Sequence, residues 1–178
     1  RRAYQQFQET PWPTRQDEEW RRSDISSYDF DSYWYEAPAP EELPAAELHE
    51  GSAGTLQFHG SRCTGRALRR DLEEQGVVLS SLNELLAQEH RDGIAESALS
   101  GHIRQLTERT IAAADNRIYH WHYSAWTHGA VLYVPRFVEV GEPFEILFQE
   151  DGEERLSMPH VVVVLEDGAR ASVIKRLQ

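Results

Sequence analysis

The sequence predicts an α+β chain in which a small helical N-terminal region precedes a stacked all-β region. Three observations carry this reading. Helical spacing and capping signals are confined to the residues before Asn116. From Gly129 onward one strand-like segment follows another. The turns between them, marked by Pro135, Gly141-Glu142-Pro143, Asp151-Gly152 and Asp167-Gly168, recur at the spacing of roughly 8 to 12 residues typical of layered strands.

In chain order, residues 1–36 form the first unit, a helical and aromatic arm. Ala3, Tyr4 and Phe7 have helical spacing, and Pro11 with Pro13 forces an extended break. Thr14, followed three residues later by Asp17, reads as the cap of a short helix from Arg15 to Arg22 anchored by Trp20. The run Tyr28, Phe30, Tyr33, Trp34, Tyr35 is the best binding-surface candidate, as an extended arm on another surface, although packing onto its own domain is the commoner outcome for such a run. Residues 37–54 are rich in Pro, Ala, Glu and Gly, a composition that buries too little apolar area to offset ordering, so a flexible acidic linker is expected there.

Residues 55–116 read as a helix-strand-helix region. TLQFHG alternates like a strand with Leu56 and Phe58 on one face, and RALRRDLEEQG is a helix that Gly76 stops. Val77 to Leu79 make a brief strand, and Ser81 with Glu84 opens a helix carrying Leu82, Leu85 and Leu86. A further helix spans roughly 97–114, with Ile103, Leu106 and Ile111 on its apolar side. Residues 117–178 form the last unit. Its first segment, IYHWHYSAW, reads as an unusually aromatic strand; AVLYVP, VEVGEPFEILFQE and HVVVVLEDGARASVIKRL follow. No internal sequence repeat underlies the pattern.

Five Trp, seven Tyr and six Phe supply enough large side chains for a core. The formal charge of −12, from 30 acidic against 18 basic residues, repels phosphate backbones and anionic lipid, which argues against nucleic acid and membrane surfaces as partners. A single cysteine, Cys63, allows neither an intrachain disulfide nor a thiolate metal cage. With no signal-like segment and no apolar run of the roughly 20 residues a membrane helix needs, the expected compartment is the cytoplasm. The chain opens at Arg1 without a Met and ends at Gln178 directly after a strand pattern, so a piece of a longer product is expected.

Several segments resemble the SufB/SufD family of iron–sulfur cluster assembly proteins. PWPTRQDEEWRRSDIS (Pro11 to Ser26) is similar to the family's Pro-rich N-terminal signature, and LEEQGVVLSSLNELLAQEH (Leu72 to His90) to its helix, Gly-Val strand and helix. NRIYHWHYSAWTHGAVLYVPRFVEVGEPFEILF (Asn116 to Phe148) and VVVVLEDGARASVIKRL (Val161 to Leu177) resemble its first strand layers. The β segments fit either branch of the family; the Trp20-Arg21 block favours the SufD branch. The aromatic IYHWHYSAW departs from the small residues the family more often has there.

This resemblance implies that the stacked strands are the first rungs of a right-handed β-helix. It implies a non-catalytic scaffold and partner subunit of the SUF complex, paired with a SufB-like subunit and a SufC-like ABC ATPase. The family's ATPase-docking helices and cluster-relevant residues lie in a C-terminal part beyond this chain. No catalytic, cofactor or metal residue is therefore carried over, and the iron–sulfur cluster belongs to the full complex.

The chemistry-bearing residues fit that expectation. His120 and His122 bracket Trp121, so on a strand both would face one side, with His128 six residues on. Such a trio defines the rival reading, a cupin-type metalloprotein using His120, His122 and His128, but no carboxylate follows at the required spacing. Cys63 lies between Arg62 and Arg66, cations that favour a thiolate, yet no base is ordered beside it. The acidic clusters Asp17-Glu18-Glu19, Glu41-Glu42 and Glu150 to Glu154 sit at a helix start, in the linker and in a turn, where carboxylates stay solvated. Gly51 to Gly54 lacks the Lys-Ser/Thr of a phosphate loop. A generic β-solenoid interaction domain is the third reading.

Overall fold

Strands β1 (Gly54–His59) and β2 (Arg62–Leu68) pair antiparallel across a tight turn at Gly60, whose φ of 57° suits a residue without a Cβ. The computed structural model that shows this describes residues 2–30, 32, 45–92, 98–150 and 156–178. Helix α2 (Arg70–Glu74) follows, and Gly76, at φ 86°, turns the chain into β3 (Val78–Ser81). The expected helix from Arg66 thus starts later, because Arg66, Ala67 and Leu68 complete the hairpin. Helices α3 (Leu82–Asp92), α4 (Ala98–Ala113) and α5 (Arg117–Ala125) lead to β4 (His128–Val134), β5 (Phe144–Gln149), β6 (Pro159–Leu165) and β7 (Val173–Leu177). At the N-terminus lies α1 (Arg2–Glu9).

Two open sheets result, one ordered β2-β1-β5-β7 and the other β3-β4-β6. From β4 onward the chain alternates between them, and each return lies parallel to the preceding pass. His128 pairs with Pro159 in one sheet and Phe144 with Val173 in the other. The connecting turns stack too: Glu139 bridges Arg170, the Val140 N–H donates to the Arg170 carbonyl at 2.9 Å, and the Arg170 N–H to that of Val138 at 3.0 Å. In this turn Phe137 adopts φ 61° and is 73% exposed, its ring lying on Gly168, where a Cβ would come within 2.6 Å.

The core fills the space between the sheets. Leu56, Phe58, Leu79, Leu132, Phe144, Ile146 and Phe148 are fully buried, and Phe58 stacks on Phe148 with centroids 4.9 Å apart. On the other face of β4, Val131 joins Leu82, Ile103 and Val162 beneath the helices. Burial on both faces explains the unbroken apolar run of β4. Of the apolar side expected for α4, Ile103 and Ile111 are buried but Leu106 points to solvent.

Three expectations need correction. IYHWHYSAW is α5, not a strand. Asn116 caps it, its Oδ1 accepting the Tyr119 N–H at 3.2 Å, and the helical turn brings Arg117 and Trp121 together against α1. Aromatic strand preference yields here to tertiary packing. The Arg15–Arg22 helix shrinks to a single 3₁₀ turn at Glu18–Trp20. Asp17 spends its carboxylate on the Thr14 N–H (2.7 Å), closing a local turn, and one half-buried Trp20 cannot offset helix nucleation. Finally, residues 45–54 of the expected linker are packed. Ala46 donates its N–H to Arg66 on the outer edge of β2, His49 meets Glu145 at 2.7 Å, and Ser52 and Ala53 are buried. Residues 37–44, with Glu41-Glu42, lie outside the described residues, as do Tyr33, Trp34, Tyr35 and the Asp151-Gly152 turn.

Candidate functional site

The second pass, β6 and β7, is an open end. Both strands are the last in their sheets, and no strand among the described residues pairs with their outer edges. The residues facing inward reveal what this leaves uncovered. Paired residues of parallel strands point to the same side, so Val163 and Leu165 match Leu132 and Val134 of the first pass, while Val173 and Leu177 match Phe144 and Phe148. The first-pass residues are 0% exposed; Val163, Leu165, Val173 and Leu177 are 41, 44, 36 and 65% exposed. A core-facing stripe therefore lies bare at one end of the stack. Lys175, in register with buried Ile146, sets its ammonium 5.5 Å from the Phe148 ring centroid. Pro159, Lys175 and Arg176 are the residue types that blunt promiscuous strand pairing at such edges.

Beside this end, α5 meets the start of β6 through two imidazoles. His122 Nε2 and His160 Nδ1 are 2.9 Å apart, one ring donating and the other accepting. Tyr123 lies edge-on to His160 and Trp126 tilts over it. Gly129 leaves room for this junction: a Cβ there would fall 2.2 Å from the His160 carbonyl oxygen. Burial pushes both imidazoles down, His160 to about 4, with the Lys175 charge adding to the effect on His122 and the His122 ring to that on His160. Both rings are thus neutral near pH 7.

Comparison with known proteins finds distant relatives. No family model matches the chain. It is similar to iron–sulfur cluster assembly SufBD family proteins of Staphylococcus saprophyticus, 21% identical over 194 residues covering 98% of this chain and 38% of that protein. A namesake in Staphylococcus epidermidis is 22% identical, covering 85% of the chain and 35% of its own length. One of Mycobacterium tuberculosis is 26% identical over 127 residues, 71% of the chain and 14% of that protein. The chain is a distant relative of SufBD family proteins, similar to them over most of its length. It spans well under half the length of these SufBD relatives.

The histidine trio of the metalloprotein reading separates in the fold. On a helix, residues two apart point in different directions. His120 is buried at 3% exposure, whereas His122 turns to β6. His128 is enclosed between Phe58 and Phe148, with Nδ1 2.8 Å from Thr127 Oγ1 and Nε2 3.5 Å from Glu150, which also accepts from Ser157. Among the described residues no three His, Cys, Asp or Glu side chains gather to hold a metal ion. His160, absent from the sequence-based candidates, is the partner His122 does have; only the parallel register of β4 and β6 brings it there. Cys63 is buried on β2, its sulfur 3.8 Å from the Gly65 carbonyl. Among the described residues no helix is long and apolar enough to cross a membrane.

The arm supplies a second surface. Phe7, Trp12 and Phe30 cluster on Trp121, Phe30 stacking on Trp12 at 4.5 Å, and the Arg117 guanidinium sits 4.4 Å from the Phe7 ring and 4.8 Å from that of Trp12. Arg15, Asp24 and Tyr28 rim a cavity of about 840 Å³ beside it. Phe30 of the expected arm thus packs on Trp121 of α5, while Tyr28, largely exposed, stacks on Phe30.

Proposed function

We propose that this chain is the N-terminal part of a SufD-type subunit that acts as a non-catalytic, cytoplasmic scaffold in SUF iron–sulfur cluster assembly. In this reading β4–β5 and β6–β7 are the first rungs of a right-handed β-helix, and residues 117–178 belong to that unit. The observation that carries it is the bare stripe of Val163, Leu165, Val173 and Leu177, in register with a fully buried first pass. A stack exposed in this way is built to be continued or covered, as repeating layers bury a face that no layer buries alone. The Trp20-Arg21 block supports the SufD branch. ATP hydrolysis and cluster chemistry fall to other subunits, a SufC-like ABC ATPase and a SufB-like partner, which meet the full-length protein beyond this chain.

Affinity purification of the full-length protein from its own cells tests this. An ABC-type ATPase and a second SufBD protein should co-purify in stoichiometric amounts, and the 178-residue chain alone should retain neither. Full-length protein that retains neither partner refutes the proposal.

A further inference from the structure

We propose that His122 and His160 form a two-imidazole site for a borderline divalent transition-metal ion, held between α5 and the start of β6. The inference stands apart from the scaffold reading, since it rests on a junction within this chain alone. Two ring nitrogens, from elements fixed by different parts of the fold, face each other at 2.9 Å. Two imidazoles bound cis on a square-planar or tetragonal ion, with metal–nitrogen bonds of about 2.0 Å, place their nitrogens about 2.8 Å apart; a tetrahedral ion requires about 3.3 Å. The separation, held here by a hydrogen bond, is close to the former, so the pair needs little movement to meet copper(II) or nickel(II).

The rings are held where they are. Tyr123 and Trp126 flank His160, and the contact of Gly129 with its backbone fixes where it leaves the sheet. The ring that now donates its N–H moves that proton to its other nitrogen. Both facing nitrogens then bind the ion, and no net proton is released. Water or a group from an incoming partner completes the coordination. The Lys175 ammonium opposes a cation here and keeps affinity modest.

Titration of the purified metal-free protein with Cu²⁺ alone, followed by electron paramagnetic resonance and calorimetry, tests the site. One equivalent should bind with hyperfine coupling to two nitrogens. His122→Gln and His160→Gln should each weaken binding on the order of tenfold or more, while His59→Gln, on an exposed strand end, should change nothing. Either of the first two variants could loosen α5, so Lys175→Gln supplies a test that leaves the junction intact: it should tighten binding about twofold or more by removing the opposing charge. Absence of binding at millimolar Cu²⁺, undiminished binding in His160→Gln, or no gain in Lys175→Gln overturns the proposal.

Discussion

Gly129→Ala probes the stacking on which the architecture depends. Gly129 faces His160 in the β4–β6 ladder, and a Cβ there would lie 2.2 Å from the His160 carbonyl oxygen and 3.1 Å from its carbon. Ordinary carbon–oxygen contacts are about 3.3 Å or longer, so the strands must part by about 1 Å. That displacement breaks a neighbouring ladder hydrogen bond and the 2.9 Å imidazole contact, at about 0.5–1.5 kcal/mol each, in addition to about 1–3 kcal/mol of overpacking strain. The stiffer unfolded chain returns about 0.4–1 kcal/mol, leaving a net loss of about 1–5.5 kcal/mol, centred near 3. Gly141→Ala is the control, because a Cβ there meets nothing within 4 Å; it should be neutral or stabilise by up to about 1 kcal/mol. Urea denaturation of both variants at equal protein concentration measures the difference. If Gly129→Ala is as stable as Gly141→Ala, then β4 and β6 do not run side by side in this register.

Phe148→Ala removes a fully buried ring stacked on Phe58 and should cost about 3–5 kcal/mol in the same assay. The isolated chain should self-associate through the bare end. Val163→Lys with Leu177→Lys should shift its sedimentation toward monomer, and a wild-type chain that is already a sharp, thermally robust monomer argues against an exposed core edge. In metal-free buffer, His160 binds its proton less readily folded, at about 4, than its ordinary 6.5. The unfolded chain therefore takes up more protons between these values, and stability falls as pH drops from 6.5 toward 4, by on the order of 1–3 kcal/mol from this group. His160→Gln should flatten that part of the stability–pH curve; an unchanged slope removes His160 as its source.

What the sequence disclosed was whatever depends on local periodicity. The alternation of Leu56 and Phe58, the stop at Gly76 and the strand after Pro143 are each set by neighbours in the chain. What it concealed depends on contacts between distant residues. IYHWHYSAW has strand-forming composition, and only the Asn116 cap and the aromatic partners on α1 and the arm make it helical. His160 became a candidate only when parallel pairing placed the first residues of β6 beside those of β4. The polar composition of residues 45–54 gave no sign that a backbone bond to Arg66 and the His49–Glu145 contact would fasten them. The resemblance to SufBD proteins was legible because it rests on the order and spacing of several segments, and its relatives match across most of the chain.

The fastening of Ala45 and Ala46 along β2 makes the two ends of the larger sheet unlike. One margin is partly covered by Ala45 and Ala46; the opposite margin, at β7, is paired with no strand among the described residues. Such an object has a polarity. Bare apolar area is offered at the β7 margin, so a neighbour seeking this sheet would be captured on that side rather than at β2.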